Sequence, residues 1–264
     1  MNDRVEAWAV PTLKHKGLEE GKMDLTNKVI LIIGGAAGIG CATAKLCAER
    51  GARVVVADRD AAAGQATAER IGGLFVPVNV TSEEAVQAMF REIAARCGRL
   101  DGIVQSAGIL QGAFVPLDEF SLETFQQVLD VNTTGSFLCA KHGASLLRQA
   151  GGGVIVLVSS GAALGGSSSF AYGTSKGGVN TLGLLLANAL AKDNIRVNVV
   201  MPGNIDTAMK RSVIEADLQR HGEAKNLQAA VQEARLGEPE GVARVLAWLV
   251  SDEADYVKGM ITTR

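Results

Sequence analysis

Short apolar runs rich in valine and isoleucine recur along the chain, and segments with helical spacing separate them. Their apolarity is continuous rather than alternating, which is typical of strands that are covered on both faces. Strands that alternate with crossover helices predict an α/β fold, with a doubly wound parallel sheet in three layers (α/β/α) and a single domain. The six clearest runs are KVILII, ARVVVAD, LFVPVNV, DGIVQSA, GVIVLVSS and IRVNVVMP.

Two segments depart from this alternation. Residues 1–22 are predicted to be a polar N-terminal extension and are a candidate for disorder, so that residues 23–264 make up the domain. Residues 207–235 are charged, have helical spacing and follow the sixth apolar run before a seventh strand begins. An insertion at the carboxyl end of a strand is well placed to form a lid over a ligand.

The composition narrows the class of ligand. The chain has 264 residues, 47% of them hydrophobic, and a formal net charge of -2, so it can bury one large core. Charges of both signs are spread along the chain, and we therefore expect a small-molecule ligand, no nucleic acid and no membrane partner. The uncharged run over residues 29–44 contains four glycines and is shorter than the ~20 apolar residues of a membrane helix. A cytoplasmic protein is predicted.

Neither the cysteines nor the histidines have the spacing of a metal site. We expect reduced thiols, as in a cytosolic protein, and no bound metal. The cysteines are Cys41, Cys47, Cys97 and Cys139, and the histidines are His15, His142 and His221.

A glycine-rich turn follows the first apolar run. Gly34, Gly38 and Gly40 separate a predicted strand from an amphipathic helix that ends near Gly51. Glycines permit a tight turn, so backbone amides and the positive end of the helix dipole can face a pyrophosphate. The turn predicts a dinucleotide site; the alternative is a turn that needs glycine only for packing.

A tyrosine and a lysine lie one helical turn apart in FAYGTSKGGVN. Tyr172 and Lys176 therefore share a helix face. An ammonium ~4 Å from the phenolic oxygen would favour phenolate by up to ~4 kcal/mol at an effective dielectric constant of ~20, before desolvation is subtracted. We therefore expect a lowered phenol pKa and proton transfer by Tyr172. The apolar surroundings of Lys176 predict that its amine is shielded and needs a partner.

The turn and the tyrosine-lysine pair resemble two hallmarks of the short-chain dehydrogenase/reductase family, T-G-x-x-x-G-x-G and Y-x-x-x-K. The resemblance extends from about Asp24 to the C-terminus and implies a Rossmann-like fold. Ile33 stands where the family has a threonine that ties the turn to the neighbouring strand, so we expect a slightly looser turn. Gln105 replaces a family asparagine, which puts the usual strand-bridging contacts in doubt.

The resemblance implies a nicotinamide dinucleotide as cofactor. Asp58 ends the second strand, 18 residues after Gly40, where a carboxylate accepts ribose hydroxyls and repels a 2'-phosphate. Arg59 argues for NADP, but Ala36 and Ala37 leave the turn without the basic residue of NADP-preferring relatives. NAD is preferred, and a solvated turn residue is the alternative for Asp58. The other implied cofactor residues are Gly34, Gly38, Ile39, Gly40, Asn79, Val80, Ala107, Gly108, Tyr172, Lys176, Pro202, Gly203, Ile205 and Thr207.

The implied catalytic residues are Asn132, Ser160, Tyr172 and Lys176. The family's serine usually precedes the tyrosine by 13 positions, which selects Ser159. Alignment on the strand end selects Ser160, which we prefer because its hydroxyl would hold the substrate oxygen beside Tyr172. Asn132, in LDVNTTGSF, matches an asparagine that positions a water linked to the lysine.

The implied activity is that of an oxidoreductase that interconverts a secondary alcohol and a ketone by hydride transfer with NAD(H). The motifs are similar to those of 3-oxoacyl-carrier-protein reductases, hydroxysteroid dehydrogenases and sugar-alcohol dehydrogenases, and a catalytically silent NAD-sensing regulator is the alternative. Small or apolar residues near the site, with no basic residue aimed at the reacting centre, favour a neutral secondary alcohol or ketone; these residues are Ala163, Leu164, Phe170 and Met209. The apolar helix predicted over 171–191 suggests a homodimer or homotetramer.

Overall fold

Seven parallel strands form the centre of the structure, a computed structural model that describes residues 23–221 and 226–263. The order across the sheet is β3-β2-β1-β4-β5-β6-β7. The predicted extension at residues 1–22 lies outside the described residues. The strands are β1 (Val29–Ile33), β2 (Arg53–Asp58), β3 (Leu74–Pro77), β4 (Gly102–Gln105), β5 (Gly153–Val158), β6 (Ile195–Met201) and β7 (Gly259–Thr262).

Helices cover both faces of the sheet, which explains why the strands are apolar throughout. In β1, Leu31 and Ile33 face one core cluster, whereas Ile30 and Ile32 face the other. The helices are α1 (Gly38–Glu49), α2 (Ala61–Ile71), α3 (Glu83–Cys97), α4 (Leu122–Leu129), α5 (Gly135–Gln149), α6 (Phe170–Leu190), α7 (Ala208–His221), α8 (Leu227–Glu233) and α9 (Pro239–Leu249). Helices α3, α5 and α6 pack on the first face, and α1, α2 and α9 on the second. The predicted doubly wound α/β/α fold is confirmed.

The strand order reverses at β1, which has β2 on one side and β4 on the other. The loops that leave these strands diverge to opposite sides, and in open parallel sheets ligands bind in the crevice between them. The crevice lies at the carboxyl edge of the sheet. The fold therefore brings the glycine turn after β1 close to the segments that follow β4, β5 and β6.

The segment that follows β6 forms two helices, α7 and α8, in the described part of residues 207–235. Thr207 stabilises the start of α7, because its hydroxyl accepts the backbone N–H of Lys210 at 3.2 Å. Among the described residues, no helix combines the length and the apolar character needed to cross a membrane.

Candidate active site

A cavity of about 580 Å³ opens at the carboxyl edge of the sheet. Its volume is in the range of small-molecule and cofactor sites. Most of the residues predicted from the sequence line it, including the glycine turn and the loop after β6. These are Gly34, Gly38, Ile39, Asp58, Arg59, Asn79, Val80, Ala107, Gly108, Ser160, Tyr172, Lys176, Pro202, Gly203, Ile205 and Thr207. Gly40 and Asn132 are not among the lining residues, and both act from behind the wall.

The glycine turn is packed so closely that side chains are excluded at two positions. Gly34 has a φ of +84°, and a Cβ there would lie 2.4 Å from the backbone nitrogen of Ala107. A Cβ on Gly40 would lie 2.0 Å from the carbonyl oxygen of Gly34. Packing alone therefore requires these two glycines. The same packing leaves no side chain over the start of α1. Its first backbone amides therefore lie at the cavity wall, where they can bind the diphosphate of a dinucleotide.

Hydrogen bonds to β2 fix the glycine turn. They do so although Ile33 lacks the hydroxyl of the family's threonine. The backbone N–H groups of Gly34 and Gly35 donate to the carbonyl of Ala57 at 2.8 and 3.3 Å. The N–H of Ala36 donates to Oδ2 of Asp58 at 3.0 Å. Asp58 is thus a structural brace as well as a candidate ribose ligand. A carboxylate has about four acceptor positions, so it retains capacity for ribose hydroxyls.

Tyr172 and Lys176 are both buried in the first half of α6, with 9% and 4% of their surface exposed. Ser169 caps this helix, because its hydroxyl accepts the backbone N–H of Tyr172 at 3.3 Å. The Nζ atom of Lys176 donates to the carbonyl oxygen of Val158 at 2.8 Å and lies 5.7 Å from the centre of the Tyr172 ring. The end of β5 therefore provides the partner that a shielded amine requires.

The predicted lowering of the phenol pKa is wrong for the protein without cofactor. Burial raises the pKa of Tyr172, and a hydrogen bond with Ser160 offsets only part of that effect. Burial also lowers the pKa of Lys176 to about 8. The spacing of the two residues indicates their proximity but not the cost of removing their charged forms from water, and burial is the largest influence on both pKa values.

Burial of the lysine makes a prediction for stability. With a pKa of about 8 in the folded protein against 10.5 when unperturbed, protonation of Lys176 costs the fold on the order of 3 kcal/mol below pH 8. This cost disappears as the pH rises from 8 to 10.5, because the unfolded chain releases its proton only there. Replacing Lys176 with methionine should stabilise the cofactor-free protein by about 2 kcal/mol at pH 7, after about 1 kcal/mol is subtracted for the lost hydrogen bond.

Urea denaturation of wild type and Lys176→Met at pH 7 and at pH 9.5 measures this difference. The advantage of the variant should shrink at the higher pH. Lys192→Met, at an exposed position, is the matched control and should show no pH-dependent difference. An advantage of equal size at both pH values would contradict the assigned titration.

The two candidate serines at the end of β5 have different surroundings. The hydroxyl of Ser159 is buried and donates to the carbonyl oxygen of Lys176 at 2.9 Å. Ser160 lines the cavity, accepts the backbone N–H of Ala162 at 3.1 Å and forms a hydrogen bond with Tyr172. The geometry therefore favours Ser160 as the serine that holds a substrate.

A pair of matched substitutions separates the two serines. Ser160→Ala should lower kcat/KM by about 10²-fold, because it removes a donor that faces the cavity, and should cost only about 0.5 kcal/mol of stability through the lost bond from Ala162. Ser159→Ala should cost about 1 kcal/mol of stability, because it removes a buried hydrogen bond to the carbonyl oxygen of Lys176. Steady-state kinetics and urea denaturation of both variants measure the two effects. Exchanged effects would assign the role to Ser159.

Asn132 lies in a π-helical turn, Asp130–Thr134, where α4 continues into α5. Its Oδ1 accepts the N–H of Ile109 at 2.8 Å, and its Nδ2 donates to the carbonyl of Ile109 and to the hydroxyl of Ser175, both at 2.9 Å. Single π turns inside helices are frequent at functional sites. Asn132 thus fixes the loop after β4 against α6. A Cβ on Gly108 would lie 3.1 Å from Asn132 and 3.3 Å from Nζ of Lys176.

The cavity wall contains a basic residue that the sequence did not place at the site. Lys210 lines the cavity together with Met209 and Val213, at the start of α7. Leu164 and Phe170 instead are 72% and 49% exposed and, like Ala163, are not among the lining residues. The helical spacing of Met209 and Val213 is the sequence signal that could have identified this wall.

Two further sets of polar groups are buried. The side-chain amide of Gln105 is 2% exposed and has no hydrogen-bond partner among the described residues, so a bound water is expected there. Cys47 and Cys139 are free thiols whose pKa burial raises to about 12, which makes them unreactive. No group of three or more histidine, cysteine, aspartate or glutamate side chains in the described residues could hold a metal ion.

Comparisons with known proteins agree with this geometry. The sequence profile of a family described as Enoyl-(Acyl carrier protein) reductase matches residues 34–263. Over 240 residues the chain is 39% identical to a cis-4-hydroxycyclohexanecarboxylate dehydrogenase from Sinomonas cyclohexanicum, covering 89% of this chain and 94% of that protein. It is 35% identical, with the same coverage of both chains, to a 2,5-dichloro-2,5-cyclohexadiene-1,4-diol dehydrogenase from Sphingobium indicum.

A solved structure shares the fold over nearly the whole described chain. The crystal structure of levodione reductase superposes with a TM-score of 0.82 at 30% identity and covers 90% of this chain and 96% of that one. These relatives are named as two dehydrogenases and a reductase. The chain belongs to the short-chain dehydrogenase/reductase family and is an oxidoreductase.

Proposed function

We propose that this protein interconverts a cyclic secondary alcohol and the corresponding ketone with NAD(H). The observation that carries the proposal is the meeting of Ser160, Tyr172 and Lys176 on one cavity that also contains the glycine turn. A binding module would need the turn but not a buried amine beside a phenol. The cyclic substrate is suggested by the relatives, since hydroxycyclohexanecarboxylate and cyclohexadienediol are both ring alcohols.

The proton chemistry follows from the residues of this chain. A nicotinamide dinucleotide, when bound, accepts hydride from the carbinol carbon or returns it to the ketone. Ser160 binds the substrate oxygen and holds it beside the phenol. In the oxidative direction Tyr172 accepts the hydroxyl proton as general base, and in the reductive direction its phenol donates that proton.

Lys176 suits the role of the next proton carrier. Because its pKa is about 8, ammonium and neutral amine are both populated near neutral pH, and its Nζ can release or accept a proton at little cost. The carbonyl of Val158 fixes the position of this atom. Asn132 is a positioning residue, since it holds Ile109 and Ser175 rather than the cavity itself.

The preference for NAD over NADP depends on Asp58. Its carboxylate lines the cavity at the end of β2, and it is fixed there by the N–H groups of Ala36 and Asp60, both at 3.0 Å. A 2'-phosphate would place two further negative charges beside it. Arg59 also lines this end of the cavity and would offset part of that repulsion. We assign NAD because Asp58 is held in place by two hydrogen bonds, whereas Arg59 is exposed.

The test is turnover of a panel of cyclic and open-chain secondary alcohols and ketones with both cofactors, together with titration of NADH by fluorescence. We expect turnover of ring alcohols and a kcat/KM with NAD at least about tenfold above that with NADP. Tight binding of NADH without turnover of any member of the panel would replace the enzyme with an NAD-sensing regulator.

The lid and the oligomer remain predictions. Arg220 near the end of α7 stacks on the ring of Phe114 at 5.6 Å, and the N–H of Phe114 donates to the carbonyl of Ser168 at 2.7 Å. These contacts tie α7 to the loops beside the cavity, as a lid requires. Leu184 and Leu185 of α6 are exposed, which leaves an apolar face for a second subunit.

A further inference from the structure

Lys210 is a cation on the cavity wall without a counter-ion among the described residues. It is the third residue of α7 and half-buried, and its Nζ has no hydrogen bond or ion pair within residues 23–221 and 226–263. Its backbone N–H donates to the hydroxyl of Thr207, so the first turn of α7 holds the side chain beside the cavity. The carboxylate nearest in sequence, Asp206, already pairs with Arg211 at 2.6 and 2.8 Å.

The charges along the cavity are unevenly distributed. Asp58 is the only acidic side chain on its described wall, and it lies at the end of β2. Lys210 follows β6, which is four strand positions away in the sheet. The start of α7 also reaches back to the glycine turn, because a Cβ on Gly38 would lie 3.3 Å from the methyl group of Thr207. Apart from Asp58, the described wall therefore contains Lys176 and Lys210 and no carboxylate to neutralise them.

Apolar side chains share the cavity wall with hydroxyl groups, such as those of Ser167 and Ser168. Leu110, Ala162, Met209 and Val213 line it, and the reacting oxygen would lie at Ser160 and Tyr172. These four side chains offer an apolar contact surface for a ring. A half-buried cation is stabilised when a ligand supplies the opposite charge, and a charge-assisted hydrogen bond to a carboxylate is among the stronger polar contacts in proteins.

We infer that Lys210 binds a carboxylate carried by the ring of the substrate, so that the substrate class is a cyclic secondary alcohol with an acidic substituent. This inference rests on the proposed function, since it assigns the substrate of the same cavity. A diphosphate of the cofactor is the other anion that could reach a lysine at this position, and the experiment separates the two.

Binding is measured without turnover by isothermal titration of the NADH-loaded protein with cyclohexanecarboxylate and with cyclohexanecarboxamide, which have no hydroxyl to oxidise. The carboxylate should bind about 10- to 100-fold more tightly than the amide. Lys210→Met should reduce this preference to within about threefold. Lys192→Met removes an exposed lysine of the same charge and should retain the preference.

A kinetic arm uses 4-hydroxycyclohexanecarboxylate and its carboxamide with NAD. The ratio of their kcat/KM values should fall by about 10- to 100-fold in Lys210→Met. The inference would be overturned if wild type bound the acid and the amide equally. It would also be overturned if Lys210→Met bound NADH more weakly but retained the acid preference. Turnover of the amide without an acid preference overturns the Lys210 site alone. Acid-selective binding without turnover of either alcohol supports the site and overturns the proposed reaction.

Discussion

Tyr172→Phe should lower kcat by at least about 10³-fold while the affinity for NADH changes by less than about twofold. The substitution removes one oxygen atom, and with it the group that exchanges a proton with the substrate; such catalysis contributes about 10² to 10⁴ in rate. The ring remains, so the packing of α6 is preserved. The ring contact with Lys176, at 5.7 Å from the ring centre, also remains.

The chain offers a matched control for this experiment. Its other tyrosine, Tyr256, is 96% exposed and lies far along the chain from the cavity residues. Tyr256→Phe should retain the kcat of wild type, measured by the change in NADH absorbance. If Tyr172→Phe retained more than about a tenth of the wild-type kcat, another group would have to carry the proton.

Gly40→Ala should destabilise the protein by at least about 3 kcal/mol, even though Gly40 lies in a helix where alanine is normally favoured. The added Cβ would lie 2.0 Å from the carbonyl oxygen of Gly34, which β2 and Ala107 hold in place. Neither backbone segment can move without breaking the glycine turn. We expect the melting temperature to fall by roughly 6 to 12 °C and NADH affinity to be lost with it.

Gly241→Ala is the control, because Gly241 also lies in a helix, α9, and a Cβ there would meet only the end of the Arg244 side chain at 3.9 Å. It should be neutral or stabilising by up to about 1 kcal/mol. Equal melting temperatures for the two variants would show that the close contact between α1 and the turn does not exist in solution.

The sequence was sufficient for the fold because the strands and crossover helices have distinct periodicities. The apolar runs at β1 to β6 each became a strand of the confirmed parallel sheet. Most motif residues also meet at the cavity, since parallel strands bring their carboxyl ends to one edge. Their catalytic and binding roles are proposals that the experiments above test.

What the sequence could not predict depends on three-dimensional surroundings. The direction of the Tyr172 pKa shift depends on desolvation, which helix spacing does not report. The hydrogen bond from Ala36 to Asp58 braces the glycine turn, and no motif near Ile33 indicates it. The sequence around Lys210 predicts a charged, solvated helix, and only the position of α7 beside the cavity shows that Lys210 lines it.

The central claim is that the phenol of Tyr172 exchanges a proton with the substrate once the cofactor is bound, and titrating that phenol tests it most directly. In a Tyr256→Phe background Tyr172 is the only tyrosine, so phenolate absorbance reports its pKa alone. Without cofactor the pKa should lie above its ordinary value of 10.0, because the phenol is buried. Saturating NAD⁺ should lower it by at least about one unit, since the oxidised nicotinamide brings positive charge to the cavity. A pKa that stays at the cofactor-free value would contradict the account.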